Sequence, residues 1–452
     1  MILLFPIETI NRELDFKLAL AHQLGGEGHT IYLGQHDFLL NILPKLKGGI
    51  YFGKNVFHFG AEKEKGILIK KIRDQEFDFV YLHEEGAVYK GREKQWEEVL
   101  KSLYKLDFFN NNDVVCEWGD FQKEIDQKRN NQNIPLQTTG HPRFDLYKSH
   151  WQFYFEKEVK ELKSKFGEFI LINGNYTVYN HGLGVDFLFS DKSYYHVDDL
   201  KSRMDRVSFF KYAGIQCLSM VELTHALAIK FPDKNFVYRP HPSEKQSFYE
   251  VVFKGVPNII VSHEGAVSSW IIASELLIHD GCTTALEAFF TGKTIINYKP
   301  VYDEKFDIWL PNQLGERVDN IEAVIHIIEN LNNYKYNIED QNTINTLNNL
   351  MANFSKNSFE LTLDVLRDAI IKKESKSESP TASFIRKQFL KNNIKKELAR
   401  LKKDGKKKSE YHNRKFYGFD KDYITDKIDI LDKHFDKNTS LIFHNSLLFE
   451  LR

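Results

Sequence analysis

Cysteine is scarce in this chain, and long apolar runs are absent. The three cysteines, Cys116, Cys217 and Cys282, lie far apart and form no C-x-x-C pair. With an odd count and that spacing, a disulfide framework and a zinc knuckle are both excluded. No stretch approaches the roughly 18 uncharged apolar residues that a membrane-spanning helix needs. The opening Met-Ile-Leu-Leu-Phe-Pro-Ile-Glu has no basic region and no small-residue cleavage site, so it reads as a first buried strand rather than a signal peptide. A reducing cytoplasm is the expected compartment. Net charge is also lacking: 62 Lys+Arg against 63 Asp+Glu leaves −1. That balance argues against a globally basic binder, and no nucleic-acid partner is expected. There is no Walker A loop, G-x-G-x-x-G, H-E-x-x-H or G-x-S-x-G. No metal ligand set is expected.

The chain has ample material for packed cores, with 42% hydrophobic and 14% aromatic residues over 452 positions. Apolar runs of strand length alternate with segments of helical period. Ile2–Ile7, Thr30–Leu33, Gly49–Phe52, Phe79–Leu82, Asp113–Cys116 and Leu136–Thr139 read as strands of a first half. Helices are expected at Arg12–Leu24, Glu62–Asp74 and near Trp96–Tyr104. The pattern restarts with a helix at Trp151–Phe166. Strands follow at Phe169–Asn173, Phe236–Arg239, Ile259–Ser262, Leu276–His279 and Thr294–Tyr298, with helices at Val207–Phe231, Thr283–Phe290, Ile321–Leu331 and Phe354–Ile371. Alternating strands and helices predict α/β units with parallel sheets. The expected organisation is therefore two Rossmann-like doubly wound domains facing a cleft, 1–150 and 151–370, with an irregular insertion at 175–205. A basic helical extension is expected at 371–452.

Chemistry-bearing residues cluster where strands end, the edge at which open α/β sheets bind ligands. His83-Glu84-Glu85-Gly86 follows one strand; Glu85 is the expected catalytic carboxylate and Glu84 a substrate contact, the plainer reading being an acidic loop. Gly140-His141-Pro142-Arg143-Phe144-Asp145 follows another, where Arg143 and Asp145 can share one side of a turn or Asp145 can simply cap a helix. Arg239-Pro240-His241-Pro242 holds one His between two rigid prolines. Asp280-Gly281-Cys282-Thr283-Thr284 opens a helix whose amino terminus suits a phosphate, with Glu287 one turn inside. Glu8 and Arg12 bracket the loop after the first strand. Glu13 and Lys17 form an i,i+4 pair.

In this order the motifs resemble those of bacterial GT-B glycosyltransferases that use CMP-activated sugar acids. Glu84-Glu85-Gly86, His241-Pro242 and Thr283-Thr284 match the base, phosphate and Ser/Thr motifs of sialyltransferases of that class. Pro6-Ile7-Glu8, Arg12-Glu13-Leu14-Asp15, the His83 and Gly140 motifs, Arg239-Pro240-His241-Pro242 and His279–Ala288 resemble surface carbohydrate biosynthesis proteins, including retaining β-Kdo transferases. This likeness covers about residues 1–335, and Cys282 stands where Ser is expected. The resemblance implies a CMP-sugar donor, Kdo foremost, bound by Arg239, His241, Gly281, Thr283, Thr284 and Glu287 without metal or other cofactor. Glu8, Arg12, Glu84 and Arg143 would bind substrate, with Arg143 or Arg12 serving the sugar acid's carboxylate, and an oligosaccharide or glycolipid acceptor would lie on the first unit. Double displacement would take Asp145 as nucleophile and Glu85 as acid/base; inversion would need Glu85 alone. The rivals are a GT-B enzyme using CDP-glycerol or a nucleotide diphosphate sugar, and a non-catalytic carbohydrate-assembly subunit.

The near-zero charge is unevenly spread. Residues 386–415 hold 13 Lys+Arg against 3 Asp+Glu. Phe389, Leu390, Ile394 and Leu398 give a partial apolar stripe there. Two readings stand: peripheral contact with the anionic inner face of the cytoplasmic membrane, or a solvated helix packed on its neighbour.

Overall fold

The computed structural model describes residues 1–57, 62–193, 199–334, 336–373, 376–401 and 415–452, with the side chains of 62–65 and 192 left aside. The chain divides into two compact units. The first comprises Met1–Ala87, Glu97–Leu146 and Thr346–Arg452; the second comprises Val88–Trp96 and Tyr147–Asn345.

In the first unit, β1 (Ile2–Ile7), β2 (Thr30–Gln35), β3 (Gly49–Phe52), β4 (Phe77–Leu82), β5 (Val114–Glu117) and β6 (Leu136–Thr138) alternate with helices. These are α1 (Ile10–Gly25), α2 (His36–Ile42), α3 (Glu62–Arg73), α4 (Glu97–Leu103), α5 (Asp120–Arg129) and the single turn α6 (Pro142–Asp145). β1, β3, β4 and β5 are buried along their whole length. Unbroken apolar runs of this kind belong to parallel strands covered on both faces. The six strands pair in parallel in the order β2-β1-β3-β4-β5-β6. The order reverses between β1 and β3, which makes that crevice the switch point.

The second unit runs α7 (Glu156–Phe166), β7 (Phe169–Asn173), α8 (Val185–Leu188), α9 (Leu200–Lys230), β8 (Asn235–Arg239), α10 (Gln246–Val252), β9 (Ile259–Val261), α11 (Val267–Ala273), β10 (Leu276–His279), α12 (Thr284–Thr291), β11 (Thr294–Tyr298), β12 (Glu316–Val318) and α13 (Ile321–Glu329). Its sheet is parallel, in the order β12-β11-β10-β7-β8-β9. Counted from β7, this is the Rossmann order 6-5-4-1-2-3, with its switch point between β7 and β10. One face is filled by a core of Ile170, Ile172, Met220, Leu223, Tyr238 and Ile278.

The expectation of two doubly wound α/β units holds. The expected boundaries do not, because the last hundred residues return to the first unit. After α14 (Gln341–Leu350) come α15 (Ser358–Lys372), α16 (Ala382–Arg400), α17 (Lys421–Phe435), β13 (Leu441–Asn445) and β14 (Leu448–Leu451). β14 pairs antiparallel with β2, and β13 with β14, so the first sheet has eight strands. The start of the expected extension is itself pinned: Lys47 and Glu378 exchange backbone hydrogen bonds, and Lys373 Nζ lies 2.7 Å from Asp78 Oδ2. α17 is tied to α1 by His22 Nε2 and Asp432 Oδ1 at 2.7 Å and by Tyr423, whose hydroxyl donates to Asp15. Lys421–Phe435 and the β13–β14 pair thus belong to the packed first unit and are not an appendage. Within the basic stretch 386–415, residues 402–414 lie outside those described. Of its expected stripe, Phe389 turns inward onto Phe38, while Leu390, Ile394 and Leu398 are exposed.

The expected insertion 175–205 also shrinks. α9 begins at Leu200, seven residues before the expected start, because Asp199 caps it by accepting from the N–H groups of Lys201 and Ser202. Residues 194–198 lie outside those described. The rest docks on the His-Pro loop: Gly182 N–H donates to Ser243 O and Lys245 N–H to Asn180 O.

Candidate active site

The first unit gathers its polar residues at the carboxyl ends of β1, β3, β4 and β6. Glu13, in the first turn of α1, accepts the backbone N–H groups of Thr9 and Glu8, which fixes the loop after β1. Its partner Lys17 is buried, and the ammonium also donates to Pro6 O at 2.7 Å and reaches Glu84 Oε1 at 3.4 Å. The i,i+4 pair is therefore part of a buried network that reaches beyond its own helix. Glu84 completes it by accepting from His141 Nε2 at 3.2 Å. Burial would raise the Glu84 carboxyl, but Lys17, His141 and Lys54 overcome it and hold it well below its ordinary value. His141 is kept neutral: burial pushes it down to about 4 against the pull of Glu84. Its Nδ1 accepts the Arg143 N–H, capping α6, which places the imidazole proton on Nε2.

Glu84 and Glu85 thus part ways. Glu84 is 1% exposed, so the substrate contact expected of it is replaced by a structural role. Glu85 is exposed and carries an ion pair to Arg12 at 2.9 Å. Burial of its carboxyl is outweighed by Arg12, Lys54 and His83, and Glu85 lies below its ordinary value, hence ionised near neutrality. Gly86 is required for packing: a Cβ there would meet the Trp118 indole at 2.2 Å. That indole donates to His83 O at 2.8 Å, so one ring braces the whole acidic turn. Glu8 is exposed beside it.

Asp145 is fully buried. One carboxylate oxygen accepts from Asn353 Nδ2 and the other from the Phe359 N–H, both at 2.8 Å. It holds the first turn of α15, whose N-cap is Asn357, and cannot meet an anomeric carbon, which corrects the expected nucleophile. Arg143 is also buried, with its guanidinium over Phe144. The expected contact with substrate is not what this placement offers. Lys54, buried in the loop after β3 at the switch point, went unread in the sequence; its charge bears on His83, Glu84 and Glu85. A lone Lys in a loop carries no periodic or motif signal.

In the second unit, strand register sets out a row at the carboxyl edge: Asn297 opposite His279, His279 opposite Asn173, and Asn173 opposite Arg239. His241 follows two residues after Arg239, and Gly281 two after His279. Two strand spacings of about 4.8 Å separate these loops laterally, about 10 Å. His241 is held by its backbone N–H, which donates to Glu244 Oε1 at 3.0 Å, and by Nδ1, which accepts the Ser243 N–H at 3.2 Å. Its proton therefore sits on Nε2. Glu244 also accepts from the Tyr176 N–H and the Tyr249 hydroxyl, and burial lifts its carboxyl to about 7. It was missed in the sequence because a Glu three residues past a His-Pro pair looks like any loop acid.

Arg239 departs from expectation. Its guanidinium stacks on Trp270 and donates to Glu264 O at 2.8 Å and Gly265 O at 3.1 Å. It braces that loop rather than standing as an open cation, and burial lowers it to about 10. Gly281 has φ +63°, a left-handed conformation that glycine adopts freely. Thr283 opens α12, and the Thr284 hydroxyl is buried without a hydrogen-bond partner among the described residues. Glu287 is buried one turn on. Beneath lies a buried ion triad in which Lys299 joins Asp280 and Asp307.

No protein-family model matches the chain, and no curated protein matches it. Solved structures similar to it include a UDP-GlcNAc 2-epimerase from Methanocaldococcus jannaschii, at 13% identity and TM-score 0.47 over 82% of this chain and 100% of that one. The wall teichoic acid polymerase TagF is similar at 11% identity and TM-score 0.43, over 82% and 89%. A GtfA/B complex follows at 12% and 0.32, over 71% and 57%. Likeness at this level says nothing of substrate, which must be argued from the residues.

Proposed function

We propose that the chain is a glycosyltransferase that takes a sugar acid, Kdo foremost, from a CMP-activated donor to a polysaccharide or glycolipid acceptor. The observation that carries this is the condition of Glu85: exposed, ionised and oriented by Arg12 at the carboxyl edge of a doubly wound sheet. A carboxylate in that state accepts a proton from an attacking hydroxyl. The donor phosphate would lie on the second sheet's edge, hydrogen-bonded by His241 Nε2–H and by the start of α12 at Thr283 and Thr284, with Glu287 on the ribose side. As the glycosidic bond breaks, its electron pair and charge pass to that phosphate, and these donors stabilise it. Lys299 is neutralised by two aspartates and Arg239 is committed to carbonyls. One His and a helix start suit the charge of a monophosphate better than that of a diphosphate. With Asp145 capped inside the core, the placement favours single displacement with inversion over the double displacement that the resemblance implied.

Thermal-shift measurements with CMP, CDP, UDP and GDP test the donor. Stabilisation by CMP is expected; stabilisation by UDP or GDP alone would replace it. Peripheral attachment is proposed through α16, where Leu390, Ile394 and Leu398 are exposed among basic residues, with exposed Leu401 directly after it. Among the described residues no helix is long and apolar enough to cross a membrane. Co-sedimentation with phosphatidylglycerol vesicles should fall when Ile394→Ser and Leu398→Ser are combined, and equal binding would reject the attachment.

A further inference from the structure

The longest helix of the second unit has an apolar stripe on its exposed side. Leu200, Met204, Val207, Ile215, Leu218 and Ile229 of α9 are all exposed, Ile229 at 81% and Leu200 at 71%. Its other side is buried through Cys217, Met220, Leu223 and Leu227. At 3.6 residues per turn the six exposed residues fall within an arc of about 80°. Lys211 and Glu222 fall in the same arc and are exposed. Among the described residues neither enters an ion pair.

The order along this stripe is self-complementary. A second copy of α9, laid antiparallel with its two-fold axis between Gln216 and Cys217, sets Met204 opposite Ile229 and Ile215 opposite Leu218. The same register sets Lys211 opposite Glu222. By symmetry each of these pairs occurs twice, as an isologous interface requires. The three pairs need one register, and a shift by one turn would put Lys211 against an apolar residue. From Leu200 to Ile229 the stripe recurs at a mean spacing close to 3.6, so it runs straight along the helix instead of winding around it. A straight stripe can stay in contact over the length of a 31-residue helix, about 45 Å.

We infer that α9 is a homodimer interface, in which two copies pair antiparallel through this stripe with reciprocal Lys211–Glu222 bridges. Opposite charge in the pairing register is what selects a second copy over a lipid surface, which would meet Glu222 unfavourably.

Sedimentation equilibrium of the full chain across a dilution series tests this. A monomer–dimer equilibrium is expected. Lys211→Glu and Glu222→Lys, each alone, should weaken dimerisation about tenfold, since each puts two like-charged pairs face to face. The two variants mixed should form a heterodimer at wild-type strength, and the double swap in one chain should restore self-association. All these positions are exposed, and circular dichroism would confirm that the variants remain folded. A wild-type chain that stays monomeric throughout overturns the inference. So does a dimer indifferent to both single reversals. Loss of vesicle binding in Leu218→Asp without any change in mass would hand the face to lipid, and also overturn it.

Discussion

At the scale of single residues, two carboxylates are placed in opposite ways, Glu85 exposed and Asp145 buried. Under the proposed function, Glu85→Gln should lower sugar transfer by about 10²- to 10⁴-fold, the usual worth of a general base, with the melting temperature unchanged. Asp145→Asn should do the reverse. It puts an amide where two N–H donors need an acceptor, costing about 1–3 kcal/mol in a urea melt, while turnover per folded molecule persists. Near-complete loss of turnover in a stable Asp145→Asn variant would reinstate it as nucleophile. Glu244 has a pH signature. Burial lifts it from 4.5 to about 7, so within that window the folded chain holds a proton that the unfolded chain has released. Its contribution to stability therefore falls as pH rises. The stability of wild type relative to Glu244→Gln should decline between pH 4.5 and 7 by up to about 3 kcal/mol; a flat difference would contradict the assignment. These roles were half legible. The adjacency of Glu84 and Glu85 announces that one faces inward, because successive residues in extended chain alternate sides. The buried one is neutralised by Lys17 and hydrogen-bonded by neutral His141; these lie far apart in sequence, and no spacing reveals that.

At the scale of elements, strand ends proved the most readable feature. β1, β4, β7, β8 and β10 are short apolar runs closed by polar residues, and both sheets put those closing residues at their ligand edge. Helix starts were less legible. The caps of α6, α9 and α15 are supplied by His141, Asp199 and Asn357, with Asp145 taking a further N–H in the first turn of α15, and a residue that holds a helix start shares its type with a catalytic acid. Three edge histidines bear a common consequence. Burial holds His83 and His141 at about 4 and His279 at about 3. Their stabilising effect is complete above the unfolded value near 6.5 and is lost as pH falls toward 4, because unfolding then takes up protons. Urea midpoints should drop steadily across that interval, and a midpoint constant from pH 7 to 4 would count against neutral burial.

At the scale of the whole molecule, the end of the chain was misread. Composition marks 371–452 as basic and detachable, and local sequence says nothing of a strand pairing more than 400 positions away, β14 with β2. Cutting at 375 should therefore not release a tail. It would strip α17 from α1 and bare the β2 edge, and exposed edges aggregate. The expected result is insoluble protein; a soluble, monomeric, cooperatively melting fragment would refute it.

The same pairing bears on the order of synthesis. β1 is made more than 400 residues before β13 and β14, so its sheet lacks those two strands while the second unit is being made. The second unit is complete by Asn345, about a hundred residues ahead of β14. Domains usually fold in the order of synthesis; here the sheet that holds β1 can be completed only after the second unit has been made, and the β2 edge is the stretch left unpaired meanwhile.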